Sequence, residues 1–295
     1  MLTEDRNPRT RNIDRLSTLE MIQLINREDG RVTGAVRAVL PQIASAIDQI
    51  VPRLRRGGRL FYVGAGTSGR LGVLDAVECV PTFGIQAESV QGVLAGGYES
   101  CHRAKESAED DPHQGQEDLR TRGLDPEDAV VGISASGKTP YTLGAIRYAR
   151  ALGALTVGIS CNLGADLSRL CQVAIEVLVG PEVVAGSTRM KAGTAQKMVL
   201  NMISTAAMIH LGNVYSNLMV NLNLSSRKLI RRGARIVAEA AGVPQNRAET
   251  ALKETGDVRS AIIMLELACT SDEARGLVSQ SVRLNELLKD KHSTP

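Results

Sequence analysis

Three features of the chain predict an α/β fold built on a doubly wound, five-stranded parallel sheet. Five short apolar runs, at 59–63, 89–94, 129–133, 155–160 and 173–179, read as strands buried on both faces. Helix-like segments separate them, as crossovers between parallel strands require. Two runs end in hydroxyl-rich glycine turns, Gly64-Ala65-Gly66-Thr67-Ser68-Gly69-Arg70 and Ser134-Ala135-Ser136-Gly137-Lys138-Thr139, and each turn opens a helix-like stretch. Glycines let the backbone approach a ligand, and a helix start offers unpaired N–H groups and the positive end of its dipole. Ligands of such sheets bind beyond the C-terminal strand ends. Two such turns there point to a phosphorylated, polyhydroxy ligand.

The elements follow in order. Residues 1–16 are polar and are expected to order only against other parts of the protein or another subunit. Ser17-Thr18-Leu19-Glu20 places a hydroxyl cap ahead of a short helix carrying Met21, Ile22, Leu24 and Ile25. Over 33–54, Val36, Val39, Leu40, Ile43, Ile47, Ile50 and Val51 recur at helical spacing. Helices are expected at 68–79, 141–152 and 190–211, the last with Met198, Met202 and Met208 as core or interface packing. Between them lies a polar, acidic stretch, 99–118, containing Glu106, Glu109, Asp110 and Asp111. Beyond Ser225 the strand pattern stops and four helices are readable, at 227–240, 245–255, 257–268 and 272–289. The expected organisation is an N-terminal helical extension (1–50), the sheet domain (51–222) and a small all-helical domain (223–295).

Composition narrows the function classes. The chain has 295 residues, 43% of them hydrophobic and 23% charged, which is ordinary for a globular protein. A net charge of +3, no Trp, two Phe and five Tyr leave little for base stacking or a basic nucleic-acid footprint. Five cysteines, without a CxxC pair or a His at ligand spacing, indicate neither a disulfide framework nor a metal site. The N-terminus lacks an apolar leader and no run is long enough to span a bilayer. The expectation is a soluble protein in a reducing, cytoplasmic setting, with no nucleic-acid or membrane partner and no cofactor.

Two familiar fingerprints fail on inspection. Gly64-x-Gly66-x-x-Gly69 fits the dinucleotide pattern, but the next strand ends in Leu94-Ala95-Gly96-Gly97 rather than an acidic residue for a ribose. Gly132-x-x-x-x-Gly137-Lys138-Thr139 fits the P-loop expression, but the following strand ends at Cys161-Asn162 without an aspartate for magnesium. Phosphate binding survives both rejections, because it rests on hydroxyls and backbone amides.

Ser134-Ala-Ser136-Gly137-Lys-Thr139, together with 64–70 and the strand order, resembles the SIS (sugar isomerase) domain. Longer stretches are similar to the N-acetylmuramic acid 6-phosphate etherase family: 64–84 with Asp75, Glu78 and Pro81, 186–202 with Lys191 and Lys197, and Ile13-Asp14-Arg15-Leu16-Ser17-Thr18-Leu19-Glu20-Met21. The similarity extends over essentially the whole chain. It implies a lyase that cleaves the lactyl ether of the sugar phosphate, yielding N-acetylglucosamine 6-phosphate and D-lactate in cell-wall recycling. It also implies a homodimer with pockets near the subunit contact.

That chemistry asks for an acid, a base and a grip on the phosphate. By the resemblance, Glu78 is the general acid and Glu109 the second catalytic glutamate, assigned the base role. Apolar neighbours Val77, Cys79 and Val80 are expected to help keep Glu78 protonated. Ser134, Ser136 and Thr139 with the Gly137 amide are the expected phosphate ligands, and Thr67 and Ser68 are expected to face the sugar or the same anion. The residues alone also permit plainer roles: an Arg partner for Glu78, a solvated acidic surface for Glu109 and helix capping for the hydroxyls. Lys138 stands where the family favours Arg. Glu182 and Lys191 are pocket candidates without an assigned role, and His102, His113, His210 and His292 carry none. Residues 241–262 resemble a ubiquitin-associated-like three-helix unit, read as packing or dimer-forming. Two alternatives remain at this point, a non-catalytic sugar-phosphate sensor or regulator and an aldose–ketose isomerase.

Overall fold

Five parallel strands in the order β2-β1-β3-β4-β5 organise the first of two compact units. The computed structural model describes residues 2–103, 105–280 and 283–288, so His292 and positions 281, 282 and 289 of the last expected helix lie outside the described residues. Ahead of the sheet come α1 (Thr18–Asp29), α2 (Val32–Arg37) and α3 (Leu40–Arg55). Strands and helices then alternate: β1 (Leu60–Gly64), α4 (Gly66–Phe83), β2 (Val90–Leu94), α5 (Pro112–Arg120), β3 (Ala129–Ile133), α6 (Pro140–Leu152), β4 (Leu155–Ser160), α7 (Asp166–Leu170), β5 (Val173–Glu176) and α8 (Lys191–His210). A short hairpin, β6 (Val214–Tyr215) and β7 (Leu218–Met219), precedes α9 (Arg227–Ala241), α10 (Gln245–Thr255), α11 (Val258–Leu267), α12 (Ser271–Gln280) and α13 (Leu284–Leu287). The first unit comprises residues 1–77 and 87–204, the second 78–86 and 205–295, so the expected boundary at 222 falls inside the second.

Every residue of β1, β3 and β4 is buried, which is why these strands read as unbroken apolar runs. Phe61, Val63, Val93 and Val130 pack with Tyr141, Ile146 and Ala149 of α6 in one core cluster. In register, Gly64 at the end of β1 lies between Leu94 of β2 and Ile133 of β3. Strand order reverses between β1 and β3, and this switch point opens a crevice at the C-terminal strand ends. Both glycine turns emerge there.

Two expectations differ from the structure for local reasons. The single helix expected over 33–54 is two, broken at Ala38 and Val39, because Pro41 has no N–H and fits only in the first turn of a new helix. The acidic stretch, to which the sequence pattern assigns no element, contains a helix. Asp111 Oδ1 accepts the N–H groups of His113 and Gln114 at 2.9 and 3.1 Å and caps α5, which starts on Pro112.

The N-terminal segment is ordered against the first unit itself. Thr3 Oγ1 accepts a bond from Asn162 Nδ2 at 3.0 Å, Asn7 Nδ2 donates to Glu28 at 2.8 Å, and the Thr10 hydroxyl donates to the Val183 carbonyl at 2.8 Å. Glu28, 2% exposed, also takes Arg9 Nη2 at 2.8 Å and Lys191 Nζ at 2.9 Å; Lys191 is fully buried. The Arg9 hydrogen bond, with Lys191 and Asn7, outweighs burial and holds the Glu28 carboxyl far below the usual carboxylate range.

The second unit has its own apolar core, including Val237, Leu252, Val258, Ile262 and Ile263. Ser226 and Asp257 cap α9 and α11, while left-handed Gly242 and Gly256 end α9 and α10.

Candidate functional site

The switch-point crevice is a hollow of about 370 Å³ lined by both glycine turns. From the first come Gly66, Thr67, Ser68 and Arg70, and from the second Ser134, Ala135, Ser136 and Thr139. In the second turn, the Ser134 hydroxyl meets Thr139 Oγ1 at 2.8 Å and Ser136 Oγ at 3.3 Å. Three hydroxyls thus form one cluster at the start of α6, where the dipole favours an anion. The turn is braced from behind by Asn162, whose Nδ2 donates to the Ala135 carbonyl at 3.0 Å.

Gly137 shapes this turn rather than lining the hollow. Its φ is +69°, and an added Cβ would fall 2.4 Å from the Ala165 Cβ. Its N–H donates to Ser134 Oγ at 3.0 Å, inside the turn. In the first turn, the Ser68 hydroxyl donates to buried Gln196 Oε1 at 3.0 Å, while Thr67 and Ser68 both border the hollow.

The remaining wall is charged. Lys105, Glu106 and Glu109 reach the hollow from the segment leading into α5, and Glu4 and Thr188 border it as well. Glu109 sits over the start of α4, since a Cβ added at Gly66 would lie 2.7 Å from its Oε1. Burial, then the charges of Asp110 and Glu106, push the Glu109 carboxyl up, and Arg70 pulls it partly back. A half-buried carboxyl raised in this way beside a hydroxyl cluster is suited to proton abstraction.

Residues 113–206 match the SIS domain, and residues 42–150 match the glucokinase regulatory protein N-terminal SIS domain. N-acetylmuramic acid 6-phosphate etherase of Clostridium beijerinckii is 53% identical over 93% of this chain and 91% of its own. The enzyme so named from Rubrobacter xylanophilus is 54% identical over 96% and 95%, and that of Caldanaerobacter subterraneus 51% over 98% and 97%. The chain belongs to the N-acetylmuramic acid 6-phosphate etherase family. The sensor and isomerase alternatives are not favoured by these relatives. Among solved structures, a Bacteroides fragilis protein assigned as a phosphosugar isomerase shares the fold, with a TM-score of 0.50, 21% identity and coverage of 65% of this chain and 91% of its own.

Of the residues that the etherase resemblance singles out, the hollow gathers Thr67, Ser68, Ser134, Ser136, Thr139 and Glu109. Glu78 is not among its lining residues. It lies roughly three turns after Gly66, in a helix that continues to Phe83, and its side chain is exposed. Within one chain, the expected apolar neighbours do not enclose it. Residues one apart on a helix point in different directions, so Cys79 is buried while Val77 is 62% exposed. Lys138 is exposed and does not line the hollow. Glu182 and Lys191 are fully buried in structural roles: the Glu182 carboxylate accepts the N–H groups of Lys191 and Ala192 at 3.0 and 2.9 Å and caps α8, while Lys191 Nζ pairs with Glu28. Arg70, Ser100, Lys105, Glu106, Glu4 and Thr188 were not singled out by sequence. Among the described residues, no group of three His, Cys, Asp or Glu could hold a metal ion, and no helix is long and apolar enough to cross a membrane.

Proposed function

We propose that this chain is a carbon–oxygen lyase that cleaves the D-lactyl ether of N-acetylmuramic acid 6-phosphate, giving N-acetylglucosamine 6-phosphate and D-lactate. The observation that carries the reading is one hollow holding both the three-hydroxyl cradle and the raised carboxyl of Glu109. Ser134, Ser136 and Thr139 hold the phosphate at the start of α6, and Thr67 and Ser68 face the sugar. With C6 pinned, the open-chain sugar lies across the crevice toward Glu109.

The ether oxygen at C3 is β to the C1 aldehyde. Glu109 takes the C2 proton, forming an enolate that collapses to a C2–C3 double bond as the C3–O bond breaks. Lactate would leave as an alkoxide unless protonated, so an acid must deliver a proton to that oxygen. Water then adds at C3, and a proton returns to C2. Burial suits Glu109 to this task, because a carboxylate with a raised pKa is the stronger base.

Glu78 is the proposed acid, delivered by a second copy of the chain in a homodimer. Its surroundings favour this: Leu74 and Val77, 51% and 62% exposed, accompany it on the same stretch of α4 and would be covered by a partner.

Turnover in 18O-water tests the reaction. The label is expected in the sugar 3-hydroxyl and not in lactate; label in lactate, or none in either product, refutes elimination followed by hydration. Mixing inactive Glu78→Gln and Glu109→Gln subunits tests the shared site. Mixed dimers then hold one intact and one doubly altered site, restoring about a quarter of the normal activity in a random mixture. No recovery places both glutamates in one chain's site.

A further inference from the structure

The proposed substrate carries two separate anions, a phosphate at C6 and the carboxylate of the lactyl group on C3. The hydroxyl cradle accounts for only one of them. On the hollow's other wall, Arg70 is half-buried, and its Nε donates to the Ser100 carbonyl at 2.8 Å. That bond fixes the guanidinium plane while using one of its five donors. Among the described residues, no carboxylate comes within ion-pair distance of Arg70. Lys105, the other cation of the lining, is engaged by Glu99 at 2.6 Å. Ser100, 3% exposed, lines the same wall, and its Oγ is buried without a hydrogen-bond partner among the described residues. A planar cation with an open fork matches the geometry of a carboxylate.

We infer that Arg70 is the specificity site for the lactyl carboxylate, distinct from the phosphate cradle. The inference rests on the etherase reading and adds to it how the enzyme selects an ether bearing an acid. Two anchors, the phosphate on C6 and the lactyl group on C3, fix the C3–C6 stretch of the sugar and aim the adjacent C2 toward Glu109. Glu109 shares this wall with Arg70, so the carboxylate that Arg70 holds brings the ether oxygen into the same region as the base.

The test compares two ethers of N-acetylglucosamine 6-phosphate, one with the lactyl carboxylate and one with its neutral lactamide, following the sugar-phosphate product by chromatography. The unaltered enzyme is expected to favour the carboxylate in kcat/KM by about 100-fold, the scale of hydrogen bonds to a charged group. Arg70→Gln should remove that preference, losing about 100-fold on the carboxylate ether and less than about threefold on the lactamide. Arg70→Lys, which keeps the charge but not the fork, should fall between them. Inhibition by N-acetylglucosamine 6-phosphate, which has the phosphate but no lactyl group, should be unchanged in Arg70→Gln. Equal losses on both ethers would make Arg70 merely structural. Weakened inhibition by the sugar phosphate would put Arg70 on the phosphate, and an unaltered enzyme indifferent to the two ethers would overturn the inference without any variant. Each result leaves the etherase reading standing, whereas failure of the unaltered enzyme to open either ether removes that reading and this inference together.

Discussion

Substituting Gly66 by alanine probes the position of Glu109 without touching its carboxyl. A Cβ at residue 66 would fall 2.7 Å from Glu109 Oε1, whereas ordinary contact begins at 3.4 Å, so the carboxylate must retreat by about 0.7 Å. The backbone at Gly66 has φ +53°, where a side chain adds about 1–2 kcal/mol of strain. For a unit of this size, that strain lowers the melting temperature by about 2–8 °C, which leaves the protein folded at assay temperature. The kinetic effect is larger, because a misplacement of about 1 Å in a reacting group can cost about 100-fold. Gly66→Ala is therefore expected to reduce kcat by about 30- to 100-fold. D-lactate release coupled to D-lactate dehydrogenase reads the rate, and a thermal melt reads the strain. In a Glu109→Gln background the same substitution should add little further loss, since the displaced group no longer serves as base. Turnover within threefold of normal, or a full additional loss in the Glu109→Gln background, would refute the assignment of Glu109 to this position and role.

Two further outcomes follow from the charge distribution. Glu106 is one of the charges that raise the Glu109 carboxyl, so Glu106→Gln lowers it. A base acts deprotonated, and activity rises with pH as it ionises, so the acidic limb of kcat/KM should move to lower pH; a shift to higher pH, or none, contradicts the base role. Lys191→Met leaves the buried Glu28 carboxylate with Arg9 and Asn7 as its remaining hydrogen-bond donors and should destabilise the fold by about 3 kcal/mol, lowering the melting temperature by about 6–12 °C. Because the Glu28 carboxyl is depressed in the folded state, its stabilisation is present above the ordinary carboxylate value of 4.5 and lost as pH falls toward the folded one. The variant should therefore lose less stability on acidification than the unaltered protein, a difference readable in melts taken from pH 7 downward.

The cradle was legible because its determinants are contiguous. A strand, a glycine turn and a helix start within a few residues set the positions of Ser134, Ser136 and Thr139, whatever packs around them. Gly137 belongs to that turn, and its amide, an expected phosphate ligand, donates to Ser134 Oγ. For Glu78, the neighbours in sequence do not enclose the side chain within one chain. Apolar neighbours in sequence are not neighbours in space on a helix, and the exposed face carrying Glu78 is defined by positions three and four away. Asp111-Pro112, a cap followed by proline, is the local signal for α5, and the acidic run around it concealed the helix.

By itself, the amino-acid sequence determined the strand succession, both glycine turns and, through the family pattern, the two glutamates proposed as catalytic. Each of these is written in residues close together or in a motif carried whole. Tertiary structure decided which charges share the crevice. Glu4, Arg70, Ser100, Glu106 and Thr188 come from separate segments, and only the reversal of strand order between β1 and β3 gathers them at one sheet edge. It also decided that buried Glu182 and Lys191 brace the fold while Glu78 faces outward. The physical reason is that burial and electrostatic coupling depend on distances across the fold, which no local spacing encodes.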